Sequence, residues 1–130
     1  MKHAVAAFSG FSVDNLQTAK DFYTQVLDLE VLDETMGLEL GLPNATRLFI
    51  YEKQDHQPAS FTVLNFVVDD IDQAADELSA KGVQFERYDL GGGGEQDKKG
   101  ILRGLAAHMG PDIAWFKDPA GNILAILQAK

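Results

Sequence analysis

A chain of 130 residues, 45% of them hydrophobic and none of them cysteine, can bury a sizeable core without disulfides and contains no thiolate nucleophile or Cys-based metal site. Its 11 Lys and Arg against 20 Asp and Glu leave a formal charge of −9, which argues against nucleic acid or an anionic membrane as the main partner, because both recruit clustered basic side chains. With 24% charged and 9% aromatic residues, the composition is that of a folded domain and not of a disordered one.

In chain order, Ala4 to Val13 is rich in Ala, Val and Phe and reads as a strand buried on much of both faces. It is short and interrupted by Ser9, Gly10 and Ser12, unlike a signal peptide, and no apolar run approaches the roughly 20 residues of a membrane helix; a cytoplasmic protein is expected. Asp14 or Asn15 can cap a helix whose apolar positions Leu16, Ala19, Phe22, Tyr23, Val26 and Leu27 recur at helical spacing up to Asp28. Strands follow at Glu30 to Asp33, Gly37 to Leu42 and Arg47 to Tyr51, the last two joined by the turn Leu42-Pro43-Asn44-Ala45. Residues 54–59 are polar, include Pro58, and read as a linker between modules at 1–53 and 60–130.

After the linker the order returns. Phe61 to Val68 reads as a strand, and Asp69-Asp70 caps a helix with Ile71, Ala74, Ala75 and Leu78 on its apolar face, closed by Gly82. Strands are expected at Val83 to Tyr88, Ile113 to Lys117 and Ile123 to Gln128, the last two joined by Asp118-Pro119-Ala120-Gly121-Asn122. Phe11 to Asn15 aligns with Phe66 to Asp70 at an offset of 55, whereas the turn prolines Pro43 and Pro119 are offset by 76. The 21 extra residues place an insertion in the second half, at about 91–111. Its Gly91-Gly92-Gly93-Gly94 run lacks the Gly-Lys-Ser/Thr ending of a phosphate-binding loop and reads as a lid or connector, with Lys98, Lys99 and Arg103 as basic groups near it.

Three segments carry a family resemblance: Val13-Asp14-Asn15-Leu16 running into Asp21-Phe22-Tyr23 and Val26-Leu27-Asp28-Leu29, then Phe66-Val67-Val68-Asp69-Asp70-Ile71, and Phe116-Lys117-Asp118-Pro119-Ala120-Gly121-Asn122. In order and at this length, the chain resembles the vicinal oxygen chelate superfamily, which includes glyoxalase I, bleomycin resistance proteins and extradiol dioxygenases. The resemblance implies an α+β fold of two βαβββ modules forming a half-open eight-stranded barrel around a central cavity, usually in dimers. It also implies positions for a divalent metal, on the first and last strand of each module. Carried over, those positions fall on Phe8, Val63, Phe49 and Ala125, and a shift of one residue either way reaches no imidazole or carboxylate. No metal and no cofactor are therefore expected. His3, His56 and His108 lie outside these strands and read as solvated surface residues, with His108 beside the cavity as the one to revisit.

Alternation along the strands then assigns what faces the cavity. Arg47 and Tyr51 accompany Phe49, and Glu39 lies on the neighbouring strand; Ile123 and Leu127 accompany Ala125; Phe11, Phe66 and Asn65 complete the wall. Trp115, three before Asp118, matches an active-site aromatic of the dioxygenases. The expected ligand-binding set is Phe8, Phe49, Val63, Asn65, Trp115 and Ala125. Two functions remain open. One is a metal-free, homodimeric binder of a small, partly aromatic and preferably cationic molecule. The other is a metal-independent enzyme acting on a small carbonyl compound with Glu39 as base, Arg47 as oxyanion stabiliser and Tyr51 as acid. Glu39 and Arg47 also read as an ordinary rim ion pair, and Trp115 and Phe49 as the filling of a closed core.

Overall fold

Both modules turn their first strand into a helix with the same device. Asn15 and Asp70 hold extended backbone (φ −145° and −137°), and each side chain accepts the amide three residues on, from Thr18 at 3.0 Å and from Gln73 at 3.1 Å. The next amide down is satisfied from the far end of the module: Leu16 N–H donates to Glu52 Oε1 and Ile71 N–H to Gln128 Oε1, both at 2.9 Å. Glu52 and Gln128 are 76 residues apart, the same offset as the turn prolines. The computed structural model describes residues 1–92 and 94–130, and the chain divides into two units, Met1–Pro58 and Ala59–Lys130.

In the first unit, β1 (Ser9–Val13) leads to α1 (Leu16–Asp21), a wider π-type turn over Phe22–Val26, β2 (Glu30–Asp33), β3 (Leu38–Gly41) and β4 (Arg47–Glu52). The sheet order is β1-β4-β3-β2, with β1 parallel to β4 and the other pairs antiparallel. Leu38, Leu40, Leu48 and Ile50 fall on one face by period two and are buried with Val13, Ala19 and Tyr23. The expected strand over Ala4 to Val13 is shortened: only its last five residues pair, and Val5 and Phe8 are exposed.

In the second unit, β5 (Thr62–Val67) and α2 (Ile71–Ala80) are followed by β6 (Leu102–Arg103), β7 (Asp112–Lys117) and β8 (Ile123–Gln128), ordered β5-β8-β7-β6. Ala114, Phe116, Leu124 and Ile126 form the buried face with Ile71 and Ala75. Asp118 and Asn122, both buried, close the β7–β8 turn: Asp118 Oδ1 accepts from the Ala120 and Asn122 amides, and Asn122 Nδ2 donates to Asp118 Oδ2, each at 2.9 Å. The last of the three segments that carry the family resemblance is thus built around a structural turn. Two βαβββ modules are the α+β architecture expected.

One element differs. Val83 to Tyr88 is not a strand; the segment lies along β7 with a single ladder-like bond, Glu86 N–H to Trp115 O at 2.8 Å, and the edge strand is the two-residue β6 inside the insertion. Gln96 explains the split. Its Oε1 accepts from Tyr88 N and its Nε2 donates to Glu86 O and Gly100 O, at 2.7–2.8 Å, so a side chain takes up backbone groups that a full strand would have paired.

Candidate functional site

The face of the first sheet away from α1 carries an unbroken aromatic ladder. Phe8 and Phe49 meet edge to face with ring centroids 6.3 Å apart, and Phe49 stacks on Tyr51 at 6.0 Å and 22°. Arg47 lies over the Phe8 ring at 5.7 Å and donates to Glu39 Oε1 at 3.0 Å. The pair is open to solvent, the Arg47 and Glu39 side chains being 45% and 27% exposed, so it is a rim pair of small intrinsic worth to stability. Phe8, Asp33, Met36, Glu39, Arg47 and Phe49, floored by Leu48, line a cavity of about 210 Å³.

One glycine makes room for the Phe49 ring: a Cβ on Gly37 would lie 2.7 Å from Phe49 Cζ, so the ring packs there against bare backbone, whereas one on Gly10 would lie 3.0 Å from the Phe49 carbonyl oxygen and marks a close approach of β1 to the β4 backbone. Alternation could not supply Asp33 and Met36. β2 slips register between Val31 and Asp33, and Met36 stands in the β2–β3 connection.

On the second sheet Trp115, Ala125 and Asn65 form one row, paired across β7, β8 and β5. Ala125 is buried, Trp115 half-buried and Asn65 exposed, and Tyr88 meets the Trp115 ring edge to face at 5.6 Å. Burial and the nearby Glu86 push the Tyr88 phenol above its usual range. Val63 sits at a register shift between Thr62 and Leu64 and leaves that row. Phe11 and Phe66 are not in either wall. Phe11 pairs with buried Ile50 and packs on Tyr23 at 6.2 Å, and Phe66 pairs with buried Ile126, so both face the helices.

Two further expectations change. Lys99 and Arg103 do not offer free positive charge: Arg103 makes a bidentate pair with Asp72 (2.7 and 3.0 Å) and bonds Asp97 at 2.9 Å, while Lys99 reaches Asp76 and Asp72. Arg103 holds the Asp72 carboxyl at about 2. His56 is not merely solvated; it is half-buried, with Nδ1 2.7 Å from Ser12 Oγ.

The family model of the Glyoxalase/Bleomycin resistance protein/Dioxygenase superfamily matches residues 2–126. The chain belongs to this superfamily. Solved structures similar to it include TnmS3, an antibiotic binding protein from Streptomyces (23% identity, 98% of each chain covered, TM-score 0.65). The fosfomycin resistance protein FosX from Listeria monocytogenes is 14% identical, with 98% of this chain and 94% of that one covered and a TM-score of 0.66. Lactoylglutathione lyase from Agrobacterium tumefaciens is 18% identical, with 97% and 95% covered and a TM-score of 0.64. Among curated proteins none matches. In this superfamily chain the positions that the resemblance assigns to metal ligands carry Phe8, Phe49, Val63 and Ala125, none of which donates to a cation. Among the described residues no three His, Cys, Asp or Glu side chains converge as a metal site.

Proposed function

We propose that this superfamily member binds a small, partly aromatic, preferably cationic molecule without a metal, using the ladder Phe8, Phe49 and Tyr51 as its platform. The observation that carries the reading is the cavity of about 210 Å³ with two carboxylates, Asp33 and Glu39, against one guanidinium, Arg47, over apolar walls. That balance favours a positive guest, and the aromatic faces add cation–π attraction. The volume is below the roughly 300–1,000 Å³ of drug-sized sites, so one or two rings, or one end of a larger molecule, fit it. The antibiotic-binding description of TnmS3 lies in the same direction. The enzyme reading with Glu39 as base and Arg47 as oxyanion stabiliser is less favoured, because the two groups are bonded to each other at 3.0 Å. Asn65, Trp115 and Ala125 are proposed as ligand contacts of the second module, and Val63 as a neighbour of that row.

Titration calorimetry with small aromatic cations and cationic antibiotics tests the reading: saturable binding that falls at least tenfold in Phe49→Ala supports it, and no binding by any of them defeats it. Elemental analysis after exposure to nickel, zinc, iron or manganese should find no stoichiometric metal; one metal per chain would overturn the metal-free part. The protein is further read as a cytoplasmic homodimer, which sedimentation and fractionation of the source cells test directly. No helix is long and apolar enough to cross a membrane among the described residues.

A further inference from the structure

We propose that Ser12 and His56 form an acyl-transfer site at the end of the aromatic ladder, with small aryl esters as the substrate class. Ser12 is the Cα partner of Tyr51 across the β1–β4 pair, and Gly10 is the partner of Phe49, so the hydroxyl emerges on the ladder's face. Its Oγ lies 2.7 Å from His56 Nδ1 although the two residues are 44 apart in the chain. With the ring proton on Nε2, Nδ1 is the acceptor and Ser12 the donor, which is the arrangement of a nucleophile with its general base. The imidazole is held there by backbone: Lys53 N–H donates to Val13 O at 2.9 Å and His56 N–H to Lys53 O at 3.0 Å, a turn that leaves β4 and returns to β1. Both residues are half-buried, reachable by a small molecule and partly screened from water.

The chemistry balances with water as the only co-reactant. Ser12 Oγ adds to the ester carbonyl carbon as its proton passes to His56 Nδ1. The C–O bond to the aryl oxygen breaks, the leaving aryloxide takes that proton, and acyl-Ser12 remains. Water then adds to the acyl carbon, His56 again accepts the proton and returns it to Ser12 Oγ, and a carboxylic acid leaves. An aryl leaving group suits the site because Tyr51 and Phe49 offer it a stacking surface beside Ser12. The inference rests on the proposed aromatic platform.

Rapid-mixing measurement with 4-nitrophenyl acetate tests it. The expected result is a burst of roughly one 4-nitrophenolate per chain, with acetyl found on Ser12 by peptide mass analysis. The burst disappears in Ser12→Ala and slows about 10²-fold in His56→Gln. A burst that survives Ser12→Ala, acetyl found only on lysines or tyrosines, or release no faster than in buffer overturns the proposal. Because the chain has no cysteine, Ser12→Cys supplies a second readout. Its thiol should react with iodoacetamide at least tenfold faster than it does in Ser12→Cys/His56→Gln; equal rates overturn the base role. Binding of 4-nitrophenol to Ser12→Ala separates the two readings: retained binding without acylation in the parent protein leaves the platform and removes the acyl-transfer site, whereas acylation without phenol binding does the reverse.

Discussion

Gly37 is a site residue without a side chain. Its absent Cβ is what lets the Phe49 ring lie 2.7 Å from where that atom would stand. Gly37→Ala must therefore push the ring, and with it the cavity wall: we expect a loss of about 1–3 kcal/mol in urea unfolding together with weaker binding of aromatic cations. Phe49→Ala should weaken the same binding at least tenfold with less effect on stability, because the ring is only half-buried. Much of this face was legible from alternation alone, since Arg47, Phe49 and Tyr51 must share a side once Leu48 and Ile50 are core. Alternation failed where backbone departs from it: Asp33 follows a register slip, and Val63 sits in one. Phe11 and Phe66 were misplaced for a different reason. They are one residue out of step with Phe8 and Asn65, and aromatic character outweighed parity. Ser12 and His56 carried no local signal, because a contact across 44 residues exists only after β1 and β4 pair.

At the scale of elements, both helices are fastened at their N-termini by matching side-chain caps. Asn15→Ala and Asp70→Ala should each cost about 1 kcal/mol, read as a lower urea midpoint, whereas Asn15→Ser and Asp70→Ser should recover most of it. The caps were readable because Asn and Asp in front of an apolar helical repeat have few other uses. The partners Glu52 and Gln128 were not, although their shared offset with the turn prolines was present in the numbering. The insertion is fastened to α2 by charge. Arg103 and Lys99 lower the Asp72 carboxyl to about 2; at Asp97 burial opposes ionisation, but the Ile101 amide, Arg103 and the Lys99 amide lower the pKa. A carboxylate depressed by folding stabilises above its unfolded pKa of about 4 and loses that contribution as pH falls toward the folded value. The fastening should thus be complete at pH 6 and weaken between about pH 5 and 2, with hydrogen exchange in residues 96–103 rising before the global transition. Asp72→Asn should flatten that pH dependence, and high salt should mimic part of it because the pair is exposed to solvent. The missing strand at Val83 to Tyr88 belongs to the same scale: its composition suits a strand, and the Gln96 side chain, ten residues beyond Glu86, takes its backbone partners instead.

For the whole molecule, the charge of −9 does not fall on the sheet face proposed to bind ligand, where Arg47 offsets one of two carboxylates. Binding of a cationic guest should therefore weaken only modestly between low and physiological salt, and a steep salt dependence would place the guest elsewhere on the acidic surface. The repeat itself was the clearest message of the sequence, because helix caps and turn prolines recur at offsets that differ by the length of one insertion. That insertion lies within the stretch of chain that must be gathered before β5 can meet β8. Gly10 pairs with Phe49 across 39 residues in the first module, and Asn65 with Ala125 across 60 in the second. The longer closure costs about 0.4 kcal/mol more in chain entropy, which predicts that the first parallel pair forms roughly twofold sooner. Pulsed hydrogen exchange during refolding would order the two events, and trimming the insertion should bring them together. On this reading the segment that decorates the second module also acts as a delay in its folding.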